Sequence, residues 1–106
     1  MIELDKDNFD EKVLSHKGLF LVDFWSAACE TCLDLMPQVE ALEQELKGKA
    51  VFGKVNIQGN RRLAIREKVL GLPAIVIYKD GEKAASFSKE FTPEEVKAKV
   101  RELTGG

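Results

Sequence analysis

Two cysteines, Cys29 and Cys32, are the only cysteines of the chain and enclose Glu30 and Thr31. Beyond them, apolar residues recur every three or four positions, which predicts that the pair begins a helix. At this spacing both thiols lie on one helix face, within reach of each other. Free backbone N–H groups and the helix dipole favour a negative charge at the first position. The pattern therefore predicts a reactive thiolate at Cys29 and a more buried thiol at Cys32.

The spacing of the pair alone leaves three other interpretations open. A zinc site needs about four ligands, and His16 is the only further Cys or His in the chain. A permanent structural disulfide is disfavoured in a reducing compartment. The third interpretation is a chance occurrence in a buried helical turn. The residues around the pair decide between these readings.

The elements that position the pair follow from apolar periodicity and from turn and cap residues. The predicted order is a strand at 2–4, a helix from Asp7 or Asn8 to Gly18, a strand at 19–25, a helix from Cys29 to Gly48, a strand at 50–57, a helix from Asn60 to Val69, strands at 74–78 and 82–88, and a helix capped by Thr92 and Glu95. Pro37 is expected to kink the second helix. Helical crossovers imply parallel strands early, and the tight turn Asp80–Gly81 implies antiparallel strands late. A mixed α/β sheet with helices on both faces follows.

Length and charge narrow the possible functions. The 106 residues fit one domain, 1–106, and no apolar run approaches the ~20 residues of a membrane span. With 16 Lys and Arg against 18 Asp and Glu, no basic excess favours nucleic acid or an anionic membrane. The charged start of the chain predicts no signal peptide, so we expect a cytoplasmic protein. Monomer is the default expectation for this size.

The segment from Val22 to Cys32, with Pro37 after it, resembles the active-site segment of the thioredoxin family. The strand at 54–57 and the segment 71–81 resemble later motifs of that family, in the same order. The resemblance covers essentially the whole chain. It implies a thioredoxin fold with a central mixed five-stranded sheet flanked by four helices, and a cis peptide before Pro73 that faces the cysteines.

The resemblance also assigns roles to residues outside the pair. Asp23 would be a buried carboxylate that takes the proton from Cys32, with Lys54 nearby modulating its pKa. On sequence alone, Asp23 at a strand edge facing water and Lys54 as a solvated strand lysine are the alternatives. Trp25 is interpreted as core and site scaffold. The predicted substrate-binding residues are Trp25, Ala28, Glu30, Thr31, Leu72 and Pro73, the last leaving the backbone before it free to pair with an extended substrate.

The chain departs from the family at several positions of this segment. Ala28 replaces the usual Trp, and Glu30 and Thr31 replace Gly-Pro. The charge of Glu30 should oppose thiolate formation at Cys29 and make the couple more reducing. Leu33 replaces a common Lys, Gln58 a frequent Asp, and Lys89 a common Gly. These changes put partner choice in question.

The sequence therefore predicts a thiol–disulfide oxidoreductase that reduces protein disulfides, either as an enzyme or as an electron carrier. Cys29 is the nucleophile, Cys32 resolves the mixed disulfide, and no cofactor or metal is needed. The implied partners are disulfide-containing proteins and a thioredoxin reductase, flavoprotein or ferredoxin-dependent. One alternative is a docking module of a larger assembly. Another is an oxidase or isomerase, whose potential would lie nearer −120 to −180 mV than about −270 mV.

Overall fold

Within residues 1–105, five strands and four helices follow one another in the predicted order. The structure, a computed structural model, describes residues 1–105. The strands are β1 (Ile2–Leu4), β2 (Leu19–Trp25), β3 (Ala50–Asn56), β4 (Ala74–Lys79) and β5 (Glu82–Ser88). A short π-helix spans Asp10–Leu14, and the α-helices are α1 (Glu30–Glu45), α2 (Arg61–Arg66) and α3 (Pro93–Leu103).

The strands form one sheet in the order β1-β3-β2-β4-β5. β3 pairs in parallel with β1 and β2, whereas β4 pairs antiparallel with β2 and β5. The predicted mixed sheet is thus confirmed. Asp80 and Gly81 both have positive φ, 53° and 84°, as a two-residue hairpin turn requires.

The sheet has an apolar core on each face, and the side chains of β2 point alternately into one core and the other. On one face, Phe20, Val22 and Phe24 pack in a core with Phe9 and Val13 from the π-helix segment. The opposite core contains side chains from α1, α3 and the sheet: Leu19, Leu21, Leu35, Val39, Leu42, Leu46, Phe52, Ile75, Ile77, Val96 and Val100. Helix α1, which begins just after Cys29, therefore lies on the face that receives the odd-numbered residues of β2.

Several predicted helix boundaries were wrong. The N-terminal helix, predicted to reach Gly18, ends at Leu14, and α1, predicted to reach Gly48, ends at Glu45. The N-terminal helix was expected to be capped by Asp7 or Asn8. Instead, the Asp5 carboxylate accepts the backbone N–H groups of both residues, and the helix begins at Asp10. The helix predicted to reach Val69 ends at Arg66, because Lys68 adopts a left-handed conformation with φ 63°.

Other local expectations have mixed outcomes. Asn60 is the N-cap residue of α2, but its side chain bonds Lys6 and Asn56 instead of the helix. α1 is unbroken across Pro37, and the kink stays a prediction.

Gly53 interrupts the apolar pattern of β3 because a Cβ there would lie 2.6 Å from Leu4 Cδ1. Among residues 1–105, no helix is long and apolar enough to cross a membrane.

The cap of α3 gives a test of the fold. The Thr92 hydroxyl accepts the Glu95 N–H at 3.2 Å, as the sequence predicts. We expect Thr92→Ala to lower the free energy of unfolding by about 1 kcal/mol, measured by urea denaturation with an unchanged m-value. Thr92→Ser keeps the acceptor and should retain most of that stability. Equal midpoints for the Ala variant and the unsubstituted protein would contradict the role of this cap.

Candidate active site

The two cysteines form a disulfide at the start of α1. Their Cα atoms are 5.2 Å apart. Cys29 is the N-cap residue, in extended conformation, and its Sγ accepts the backbone N–H of Cys32 at 3.1 Å. Cys32 is buried, with 1% of its surface exposed, whereas Cys29 is half-buried. One sulfur therefore lies near the surface at a helix N-terminus, where a negative charge is favoured, and the other lies beneath it.

A short turn between β2 and α1 fixes the position of Cys29. The Ser26 carbonyl accepts the N–H of Cys29 at 3.0 Å, and the Ser26 hydroxyl accepts the N–H of Ala28 at 3.2 Å. Ser26 is buried although it is polar. The sequence analysis missed this residue, yet a serine between a strand and a helix start is a recognisable signal for such a turn.

Asp23 lies on the face of β2 that is covered by α1, the helix that buries Cys32. Alternation along β2 puts Asp23 on the same side as Leu19 and Leu21, which pack against α1. The carboxyl is 1% exposed, and its Oδ2 has no hydrogen-bond partner among the residues described. The alternative of an aspartate facing water is therefore wrong.

Burial has a direct electrostatic effect on Asp23. Desolvation raises its pKa from 3.8 to about 7, and the positive charge of Lys54 opposes that rise. Removal from water penalises the carboxylate, so this side chain changes charge near neutral pH. A group with such a pKa can take up and release a proton near neutral pH.

Lys54 is brought beside Asp23 by the parallel pairing of β2 and β3, in which the two residues are direct partners. Its side chain is 24% exposed, and its Nζ lies 3.6 Å from Glu3 Oε1 and 6.0 Å from the centre of the Trp25 ring. Lys54 is thus a half-buried residue between the site and the edge strand. The sequence analysis missed Glu3, because only the pairing of β1 with β3 reveals it.

Trp25 and the loop before β4 meet at one end of the sheet. Phe24 pairs with Ala74, so Trp25 at the end of β2 lies beside Pro73. The Leu72–Pro73 peptide is cis, as the resemblance predicts. Trp25 is half-buried, and its Nε1 is buried without a partner in the described part of the chain. Leu72 is half-buried and Pro73 is buried.

The surface around the disulfide is open and partly apolar. Ala28, Glu30 and Thr31 are all exposed. Leu33, next to Cys32 in the chain, is 45% exposed and adds an apolar side chain to this surface. Within residues 1–105, no three side chains of His, Cys, Asp or Glu are grouped so that they could hold a metal ion.

Lys89 borders the same loop in a strained conformation. Its φ of 65° is left-handed, which costs a non-glycine residue about 1 kcal/mol or more. Its N–H donates to the Pro73 carbonyl at 2.8 Å. Its aliphatic stem crosses Gly71 so closely that a Cβ on that glycine would collide with it.

A polar network holds the start of the segment that leads to Pro73. The Tyr78 hydroxyl donates to Glu67 Oε1 at 2.6 Å, and Arg66 bonds both Glu67 and Asp10. Lys83 donates to the Glu67 carbonyl. Burial and the Glu67 contact raise the pKa of Tyr78, so its hydroxyl stays a donor. The segment 67–73 is thus fixed at Glu67 and again where β4 begins.

Comparisons with known proteins agree with this geometry. A family model described as Thioredoxin matches residues 1–102. Thioredoxin from Acetoanaerobium sticklandii is 49% identical over 102 residues, which cover 95% of this chain and 97% of that protein. Thioredoxin from Peptoclostridium acidaminophilum is 42% identical over 106 residues, covering 99% and 96%. Protein disulfide-isomerase like 2-2 from Arabidopsis thaliana is 33% identical, but the match covers only 26% of that protein.

The two thioredoxins match along nearly their whole length, and the pair predicted from the sequence forms the disulfide at the start of α1. A thiol–disulfide oxidoreductase of the thioredoxin type is the function that fits both findings. The chain belongs to the thioredoxin family.

Proposed function

We propose that this protein reduces disulfides in other proteins, with Cys29 as nucleophile and Cys32 as resolving thiol. The observation that carries the proposal is the Cys29 Sγ at the N-cap of α1, accepting the Cys32 N–H, with Cys32 buried behind it. The more exposed sulfur is the one a substrate can reach. The hydrogen bond favours negative charge on it, as a nucleophilic thiolate needs.

The first step transfers one sulfur bond. The Cys29 thiolate attacks one sulfur of the substrate disulfide, so an S–S bond forms between protein and substrate while the original S–S bond breaks. The other substrate sulfur leaves as a thiolate and takes a proton from water. No net oxidation has yet occurred, because one disulfide has replaced another.

The second step releases the product. The Asp23 carboxylate takes the proton of the Cys32 thiol, and the resulting thiolate attacks Cys29 Sγ. The bond to the substrate breaks, and the second substrate sulfur leaves as a thiolate. The substrate has gained two electrons, and the dithiol has become the Cys29–Cys32 disulfide. The burial of Asp23 and its place on the α1 face of β2 support this role, and Lys54 tunes the proton affinity of Asp23.

Substrate binding is assigned to the surface around the disulfide. We place an extended substrate segment over the backbone of Leu72, next to the cis peptide, with Pro73 and Trp25 forming the floor. The exposure of Ala28, Glu30 and Thr31 supports a contact of this loop with the substrate. Here Glu30 adds a negative charge next to the reactive sulfur.

The family implies disulfide-containing substrate proteins and a reductase as partners. We further propose that a thioredoxin reductase, flavoprotein or ferredoxin-dependent, regenerates the dithiol. We propose a monomeric single domain working in the cytoplasm, where a reducing couple is useful. No cofactor is assigned, since the cysteines themselves carry the electrons.

Cysteine variants test the two roles. Cys32→Ser should accumulate a mixed disulfide between Cys29 and a reduced-insulin chain or another substrate, detected by mass spectrometry, because the resolving thiol is absent. Cys29→Ser should trap none. Both should lose insulin reduction with dithiothreitol as donor. A wild-type protein that fails to reduce insulin would instead favour a docking module.

The burial of Asp23 predicts a pH-dependent stability difference. The pKa of Asp23 is about 7 in the folded state and exceeds the unfolded value. The contribution of Asp23 to the free energy of unfolding is therefore complete below about pH 4 and is lost as pH rises through 7. The oxidised Asp23→Asn variant avoids this loss and should become more stable than wild type above pH 7, by up to about 4 kcal/mol. Urea denaturation from pH 4 to 8 measures the difference. Asp34→Asn, the same change at an exposed site of α1, should follow wild type. A constant difference at all pH values would refute the raised pKa.

The role of Asp23 in proton transfer predicts a second effect of the same variant. Near pH 7, Asp23→Asn should slow release of substrate from the mixed disulfide by about 100-fold, since general-base catalysis is lost. Rapid-mixing measurements with a purified mixed disulfide isolate this step. The wild-type rate should rise as pH increases through about 7, and the variant should lack that rise. An unchanged pH profile would leave Asp23 a structural residue only.

A further inference from the structure

We propose that Lys89 is a specificity-determining residue that favours substrates carrying an acidic side chain close to the target cysteine. The inference rests on the proposed reduction of protein disulfides and adds a substrate class to it. Three features carry it: the backbone position of Lys89, the course of its side chain, and the freedom of its charge.

The backbone places Lys89 next to the loop that receives the substrate. β5 ends at Ser88, which pairs with Ala74, and the Lys89 N–H then donates to the carbonyl of Pro73. Pro73 in turn lies beside Trp25, and Trp25 precedes Cys29 by four residues in the chain. Lys89 therefore lies at the end of β5 that is on the same edge of the sheet as the cysteine pair.

The side chain runs toward the same loop. Its Cγ, Cδ and Cε all lie over Gly71, where a Cβ would be 3.2 Å from Cγ and 3.4 Å from Cδ. A larger residue at 71 would therefore require the flexible stem of Lys89 to move. The stem borders Gly71, the residue before Leu72 and the cis peptide, so the ammonium group at its end is at the margin of the proposed substrate-binding backbone.

The charge of Lys89 is uncommitted. Lys54, Lys97 and Lys99 each form a salt bridge with a glutamate, whereas no salt bridge of Lys89 is present among residues 1–105. Lys89 is exposed, and its left-handed conformation is one that glycine would adopt without strain. Backbone strain at a residue that borders a binding surface points to a contact with a ligand. An acidic side chain is the complement of an exposed ammonium.

A set of peptide disulfides tests this assignment. Each peptide has one cysteine, which is joined by a disulfide to the same chromogenic thiol. A single Glu or Gln stands at one position within two residues of that cysteine. The reduced protein attacks the peptide sulfur, releases the chromogenic thiolate, and the second-order rate constant is read from its absorbance. At low salt, we expect one Glu peptide to react about two- to five-fold faster than its Gln counterpart. That preference should fall toward one at high salt.

Variants separate the effect of Lys89 from other charges. Lys89→Gln should bring the Glu-to-Gln rate ratio to about one, and Lys89→Glu should invert it. Lys89→Gly should also abolish the preference, without a lower unfolding midpoint, since glycine tolerates the backbone angle. Lys47→Gln, which removes an exposed lysine beyond the end of α1, should keep the wild-type ratio.

The outcomes distinguish the two levels of the proposal. Equal rates for every Glu and Gln pair, or a preference that persists in Lys89→Gln, would overturn the assignment of Lys89 while leaving disulfide reduction intact. If wild-type protein released no thiolate from any peptide, the proposed reductase function would fail, and this inference with it. A preference for Gln over Glu in wild type would show that Glu30, not Lys89, dominates the local charge and would also overturn the assignment.

Discussion

The central constraint of this structure is that β2 is hydrogen-bonded on both sides along almost its entire length. It pairs in parallel with β3 from Leu19 to Trp25 and antiparallel with β4 from Leu19 to Phe24. A strand in this position has no freedom to slip, because a shift by one residue would exchange its two apolar faces. Only three residues, 26–28, separate β2 from Cys29, so the position of the cysteines depends on that register.

The same register forces a carboxyl group into the core. Asp23 must lie on the face covered by α1, with Ile75 on one side and Lys54 on the other. A folded domain has only about 5–15 kcal/mol of stability, so a charged carboxylate here is a substantial liability. Lys54 offsets part of it, but Glu3 shares the lysine charge at the sheet edge. The site is therefore held near a balance in which the carboxyl has no strong preference for either charge state at neutral pH.

Local patterns were enough to predict the order of the elements, the sheet type, the hairpin turn and the cap of α3. These features depend on neighbours in sequence, such as Asp80 with Gly81 and Thr92 with Glu95. The cysteine pair at a helix start was predicted in the same way. The cis peptide, by contrast, came only from the family resemblance, since composition does not indicate it.

What sequence could not give is set by contacts between distant segments. Glu3 reaches Lys54 only because β1 joins the sheet beside β3. The Asn60 side chain was expected to cap α2, but its Oδ1 instead accepts a hydrogen bond from the backbone N–H of Lys6. The end of α2 was misplaced because apolar Val69 continued the periodic pattern beyond the left-handed Lys68. In each case a tertiary contact or a backbone reversal outweighed the local preference.

The network around Glu67 has a consequence for the thermodynamics of docking. The seven residues 67–73 are tethered at one end by Tyr78, Arg66 and Lys83, and at the other by the first pairing of β4. A segment restrained at both ends loses less conformational entropy than a free loop would if it bound a substrate strand as proposed. In the proposed complex, more of the association free energy is then available for positioning the sulfur of the substrate against Cys29.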